Sequence, residues 1–293
     1  MAEKKQNVLL LIDSNALIHR FFHALPPFTA PDGSPTNAIY GLSNTLLKII
    51  TEQKPDYIAA SLDTPEPTFR DKEYAEYKAK RAPTSDELIP QLKKAASVYD
   101  VFGVRAFAIP GFEADDLIGS FVEMFKNEAD LKIVILSGDR DVLQLVEGEK
   151  VVGQLFKTGI TETVIYDEKA VIEKFGLKPK QLPDYKGFVG DASDNIKGIA
   201  GVGPKTAEIL LKEFPTIEEV YENIAIITPK IAKKIEGKKE EAIFSRRLAT
   251  IRRDAPVGVS NLESLKVPAL DKVKLKTFFQ SLGFKSLIEK LEK

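Results

Sequence analysis

Three carboxylates fall within four residues in Gly111-Phe112-Glu113-Ala114-Asp115-Asp116-Leu117, between an apolar run over Val104–Ile109 and a helix-like stretch over Leu117–Phe125. An acidic cluster opening a helix serves first as a cap and as compensation for the helix dipole. The same oxygens also suit a divalent cation such as Mg²⁺, which takes several hard oxygen ligands. Other parts of the chain favour the second use, because further apolar runs also end on acids. Val8–Ile12 stops at Asp13, Tyr57–Leu62 stops at Asp63, and Lys132–Leu136 runs into Ser137-Gly138-Asp139-Arg140-Asp141. Gly190-Asp191-Ala192-Ser193-Asp194-Asn195 adds two acids spaced i,i+3.

The elements that must position these acids follow from the apolar runs. Short runs of the Val8–Ile12 type, alternating with helix-like segments, predict a mostly parallel sheet of the α/β class. In such sheets ligands bind beyond the carboxyl ends of the strands, the edge at which Asp13, Asp63, Glu113 and Asp139 all fall. Ala16–Phe22, bearing Arg20, reads as a helix, and Asn37–Ile50 reads as a crossover helix. Pro26, Pro27, Pro31, Gly33 and Pro35 mark a loop between them.

Arg70–Arg81 mixes five bases with three acids and two tyrosines. Such a segment is either a solvated helix with pairs such as Glu76–Lys80 or a basic, aromatic stretch able to meet a phosphodiester backbone. After Tyr166 the β-like runs stop and short helices punctuated by Gly and Pro take over, which puts a boundary near residue 175. Gly198-Ile199-Ala200-Gly201-Val202-Gly203-Pro204-Lys205-Thr206-Ala207 opens a helix through Phe214. Its glycines permit close backbone approach to a phosphate, but it fits neither GxxxxGK[ST] nor GxGxxG. Lys230–Arg253 carries nine Lys/Arg against three Glu, a charge segregation expected of a duplex backbone track or of a solvated helical face. Leu275–Leu291 reads as one terminal amphipathic helix.

The chain has 293 residues, 43% hydrophobic and 29% charged, with a net charge of −1. That is enough for one large domain or two modest ones, and it hides any local basic face. No cysteine is present, which excludes disulfides, thiolate metal sites and cysteine nucleophiles. The polar stretch Met1–Asn7 followed by a short apolar run is too brief for a signal peptide core or a membrane span, so the cytoplasm is the expected location.

These motifs, in this order, resemble the 5′ nuclease (flap endonuclease-like) family, in particular the N-terminal 5′–3′ exonuclease domain of bacterial DNA polymerase I. Gly111–Asp116, Ser137–Asp141, Gly190–Asn195, the Gly198–Ala207 helix-hairpin-helix turn and the ending Phe278–Leu287 carry the likeness, which spans nearly the whole chain. It implies a PIN-like catalytic domain over 1–175 with a mostly parallel central sheet flanked by helices and a helical arch at about 64–100. It further implies an all-α DNA-binding domain over 176–293.

By the same resemblance two Mg²⁺ ions, with Mn²⁺ as a substitute, hydrolyse a phosphodiester. Asp13, Asp63, Glu113 and Asp115 would hold the first. Asp139, Asp141, Asp191 and Asp194 would complete the second, with Asp116 in direct or indirect contact. Two such ions activate a water and stabilise the leaving oxygen, so no histidine base is required. Lys78 and Arg81 match arch residues on the scissile phosphate, and Arg20 a further phosphate contact, while the basic Arg70 segment meets DNA. Phe21 or Tyr77 offers a ring for an unpaired base, with an ordinary core role the equal alternative for Phe21. Gly201, Gly203, Lys205 and Thr206 would grip the duplex backbone without reading sequence, with K⁺ at that turn. The implied substrate is branched or nicked duplex DNA with a 5′ end or flap, or an RNA primer. A monomer is expected, with a polymerase in cis or in trans.

Two other classes compete. A catalytically dormant branched-DNA binder would explain the basic segments but not so many carboxylates, which are costly to bury without use. Another Mg²⁺ hydrolase on a similar sheet, a PIN-type ribonuclease or a phosphatase, lacks a need for the Gly198 turn and the basic tail. An aspartyl phosphatase also wants an acid two residues after Asp13, where Asn15 stands.

Overall fold

The computed structural model describes residues 6–157, 159–160 and 162–292, so most of the polar Met1–Asn7 stretch lies outside the described residues. Six strands form one sheet: β1 (Asn7–Asp13), β2 (Tyr57–Ser61), β3 (Arg105–Phe107), β4 (Leu131–Ser137), β5 (Val151–Phe156) and β6 (Thr163–Tyr166). Their order is β3-β2-β1-β4-β5-β6, parallel except for β6, which runs antiparallel at the edge. β1 is central and apolar throughout because both its faces are covered. Leu10 and Ile12 enter one core, and Leu9 and Leu11 the other. The third strand is three residues rather than the six of Val104–Ile109.

Helices α1 (Ser14–Ala24), α2 (Asn37–Lys48), α3 (Phe69–Glu73), α4 (Ile89–Val101), α5 (Ala114–Phe125) and α6 (Glu168–Phe175) flank the sheet. The expected arch is only partly helical. Between Glu73 and Ile89 the chain makes turns, and Glu76 pairs with Lys197 rather than Lys80. A helical unit follows: α7 (Leu182–Val189), a hairpin of β7 (Gly190–Asp191) and β8 (Ile196–Lys197), then α8 (Pro204–Glu213), α9 (Ile217–Glu222), α10 (Pro229–Ile235) and α11 (Lys239–Ala249). Its own core runs from Leu177 to Ala242.

The stretch expected as one domain over 176–293 is not one packing unit. From Ile251 to Leu265 the chain returns to the second core of the sheet. The terminal α12 (Lys272–Ser281) and α13 (Lys285–Glu292) then bury Leu275, Phe279, Leu287 and Leu291 against the first. The single helix expected over Leu275–Leu291 is broken at Gly283, whose φ of +74° is left-handed. Among the described residues no helix is long and apolar enough to cross a membrane.

Candidate active site

The acids that end the strands are held by the elements that follow them. Asp13 closes β1 and caps α1, with Oδ1 accepting from Ala16 N at 3.0 Å. Its Oδ2 accepts from Ser137 Oγ at 2.7 Å. Ser137 closes β4, and its Oγ also accepts from the Asp139 N–H at 2.9 Å. With its lone pair engaged there, the hydroxyl proton is committed to Asp13, so one serine fixes two acids from neighbouring strands. Asp63 lies beyond β2, and its Oδ1 accepts from the Ala114 N–H at the start of α5 at 2.7 Å, where the helix dipole favours a negative charge.

These side chains share one cavity of about 1030 Å³, lined by Asp13, Asp63, Glu113, Asp115, Asp139, Asp141 and Asp191. Arg20, Lys78, Arg81 and His19 line it too. Burial pushes Asp13 up to about 7 and also holds the Asp115 carboxyl well above the carboxylate range. One buried oxygen of Asp115, Oδ1, has no hydrogen-bond partner among the described residues. Burial, and after it the neighbouring His23, lowers the pKa of His19 against an opposing pull from Asp63.

Cations brace the rest. Lys78 Nζ donates to Glu113 Oε1 at 2.6 Å, and the Lys78 N–H donates to Asp194 O. Reaching both puts Lys78 at φ +53°, a conformation that non-glycine residues seldom adopt. Arg81 Nη2 donates to Asp194 Oδ1 at 2.5 Å. Lys186, one turn before the hairpin on α7, donates to both Asp141 and Asp191. Burial opposes the Asp191 charge, but Lys186 and Ser193 outweigh it and hold the carboxyl at about 2. Burial lifts Asp141 to about 6, since one ammonium cannot fully compensate two carboxylates. Among the described residues no three carboxylates stand gathered at ligand spacing, and Lys78 and Lys186 draw Glu113, Asp141 and Asp191 onto ammonium groups.

Four expectations change. Arg70 is 2% exposed and cannot meet DNA; its guanidinium grips both oxygens of Asp116 at 2.7 and 2.9 Å and donates to Leu248 O and Thr250 O. Asp116, fully buried, also accepts from the Arg252 and Glu113 N–H groups, so it faces away from the cavity. Asp194 stands behind the cavity wall rather than on it, bonded to Arg81 and to Tyr77 Oη at 3.1 Å. Neither ring proposed for stacking is available, because Phe21 is in the core and Tyr77 is 6% exposed with its hydroxyl on Glu113 and Asp194.

The turn with Gly201, Gly203, Lys205 and Thr206 lies at the N-terminus of α8, apart from the cavity lining. There the Gly201 carbonyl accepts from Lys234 Nζ at 2.7 Å, so an ammonium takes one carbonyl oxygen of the turn expected to hold K⁺. The basic segment is partly neutralised as well: Arg246 pairs with Asp184 and Glu218, Arg247 with Glu73, Arg252 with Asp254, and Arg253 with Glu123. Sequence reasoning missed Lys186 and Ser137 as site residues. Ser137 sits inside a motif already singled out, and Lys186 lies five residues before Asp191.

Comparison with known proteins bears on the same regions. The family described as 5′-3′ exonuclease, N-terminal resolvase-like domain matches residues 8–176, and 5′-3′ exonuclease, C-terminal SAM fold matches residues 177–273. The chain belongs to the 5′–3′ exonuclease family. Within that family it is 42% identical over 285 residues to DNA polymerase I of Caldicellulosiruptor bescii, a match covering 97% of this chain and 33% of the polymerase. To DNA polymerase I of Bacillus subtilis it is 36% identical over 292 residues, 99% of this chain and 33% of the other. To a 5′-3′ exonuclease of Aquifex aeolicus it is 35% identical over 286 residues, covering 97% of this chain and 95% of that one.

The chain thus spans about a third of the polymerases it matches and nearly all of the exonuclease. Among solved structures, the T5 5′-exonuclease with bound divalent zinc superposes with TM-score 0.70 at 21% identity, over 83% of this chain and 89% of that one. The catalytic core of Rad2 in complex with DNA substrate gives 0.64 at 14% identity, over 98% and 93%. At those identities the likeness is one of fold.

Proposed function

We propose that this 5′–3′ exonuclease-family chain is a structure-specific, Mg²⁺-dependent nuclease, acting as a monomer on branched or nicked duplex DNA with a 5′ end or flap, RNA primers included. A polymerase on the same chain or a separate one would generate such ends. The observation that carries the reading is the convergence of seven carboxylates, from the ends of β1, β2 and β4, the start of α5 and the β7 hairpin, on one cavity rimmed by Lys78 and Arg81. The donor set fits divalent cations: all oxygen, buried, raised in pKa at Asp13, Asp115 and Asp141, and with an unpartnered oxygen on Asp115.

Asp13, Asp63, Glu113 and Asp115 would hold one ion, and Asp139, Asp141 and Asp191, with Asp194 behind them, a second. Mn²⁺ is the expected substitute. Bound divalent ions supply Lewis acidity and charge neutralisation at the scissile phosphate. Lys78 and Arg81, now on Glu113 and Asp194, would exchange those carboxylates for the phosphate and stabilise its developing charge. Asp116 would act from behind the cavity, by holding Arg70 and the Glu113 and Arg252 N–H groups. Gly201, Gly203, Lys205 and Thr206 would meet the duplex backbone through the α8 N-terminus. A K⁺ ion at that turn would share or displace Lys234 Nζ at the Gly201 carbonyl.

The test is cleavage of a 5′-flap duplex with Mg²⁺, beside calorimetric titration of Mn²⁺ into the protein alone. Flap cleavage that stops with chelator and with Asp115→Asn, and Mn²⁺ binding weakened by the same substitution, are expected. Salt-dependent DNA binding without turnover would instead favour a dormant binder.

A further inference from the structure

The acid-lined cavity continues past the acids. Beyond Asp141 its wall is built by β5, β6 and the end of α6, through Phe156, Val164, Tyr166, Lys174 and Phe175. No step assigned above uses these residues. Their chemistry differs sharply from that of the acids: aromatic faces with cations at the rim. Lys174 Nζ donates to Tyr166 Oη at 2.7 Å and lies 4.6 Å from the centre of the same ring and 5.8 Å from that of Phe175. On Phe156, the Arg20 guanidinium sits 5.3 Å from the ring centre.

Among the described residues β6 is the last strand of the sheet, so no further strand covers this side, and Tyr166 and Phe175 are only half-buried. The bland reading is that both rings close the second core, against which they pack. That reading does not explain why Lys174, exposed on α6, folds back over two rings on the wall of the same cavity as the acids. An exposed cation–π contact is weak, and a phosphate competes well for the same ammonium. Every nucleobase has a π-face, and stacking on aromatic side chains holds unpaired bases without regard to sequence.

We propose that this lobe receives one unpaired nucleotide next to the scissile phosphate, its base against Tyr166 and Phe175 and its phosphate on Lys174. The proposal rests on the nuclease reading and extends it: opening the strand at the cleaved bond would be stabilised by a defined receptor beside the acids.

The test couples protein and substrate changes. Wild type, Tyr166→Leu and Phe175→Leu keep apolar volume against the core but differ in π-face. Each is assayed on 5′-flap duplexes carrying one abasic residue at successive positions on either side of the cleaved bond. Both kcat/KM with Mg²⁺ and equilibrium Kd with chelator are read. Wild type is expected to lose about 5- to 20-fold at one position, the leucine variants to show that loss on intact DNA, and the two losses not to multiply. Lys174→Gln should lower the salt slope of binding by about one.

Coupling on the flap side or on the duplex side supports the lobe and says which nucleotide enters. Losses that multiply at every position, or leucine variants equal to wild type on intact DNA, overturn it. If wild type binds with this coupling but never cleaves, the nuclease reading fails while the lobe stands.

Discussion

Two neighbouring aspartates at the start of α5 have opposite surroundings. Asp116 is fully buried and fully answered: a bidentate arginine takes both oxygens, and two backbone N–H groups complete them. Asp115 lines the cavity with one oxygen lacking a partner among the described residues and its carboxyl pushed well up by burial. A saturated buried ion pair has nothing left to offer a ligand, and breaking it strands a charge. An unsaturated carboxylate stores unfavourable free energy that a cation can relieve. The two residues of one acidic motif therefore divide the work, one holding α3, α5 and the end of α11 together, the other facing the substrate cavity.

The largest expected effect breaks the saturated side. Arg70→Met should destabilise the protein by about 3–5 kcal/mol, because Asp116 is left buried and unpaired. Denaturant unfolding reads this, and Arg70→Met combined with Asp116→Leu should recover part of the loss. A stability near wild type for the single variant would show that Asp116 is not confined as described. Next comes the unsaturated side. Asp115→Asn should cost activity by about 10²–10³, the order seen when one pre-set electrostatic group is removed. Its metal-free melting temperature should stay level or rise, since a strained carboxylate is gone. A clear drop in that temperature would make Asp115 a structural residue like its neighbour.

pH sharpens the contrast further. Burial raises Asp13 from 3.8 to about 7 and Asp141 to about 6. A carboxyl whose pKa rises on folding binds its proton more tightly in the native state, so stability falls as pH climbs from near 4 toward 7. Metal-free protein should thus melt higher near pH 5.5 than near pH 7.5, with Mg²⁺ raising the melting temperature more at the higher pH. Scanning calorimetry at both values, with chelator and with Mg²⁺, checks the sign; a metal-free protein more stable at the higher pH would contradict it. Smallest of all should be Arg247→Ala, which removes a pair with Glu73 whose partners are 58% and 38% exposed. Such surface pairs contribute less than about 1 kcal/mol, measurable by the same denaturant curves.

The acid-bearing strand ends were legible because an apolar run stopped by an aspartate is a local pattern, and burial of a parallel strand on both faces needs no distant information. Asp13, Asp63 and Asp139 were read in that way. Lys186 was not, since its value lies in reaching Asp141, 45 residues away, which no local spacing reports. The return of residues 251–292 to the sheet escaped notice for a related reason. Their apolar spacing announces a buried face but not which core receives it.

The sequence alone settled which residue types were at hand: oxygen donors at strand ends, cations in the Arg70–Arg81 segment, and glycines at a helix start. Only the tertiary structure decided between Asp115 and Asp116. Successive helical residues point about 100° apart, and the groups that saturate Asp116 but miss Asp115 were delivered from positions 46 and 136 residues away, beyond the reach of any local signal.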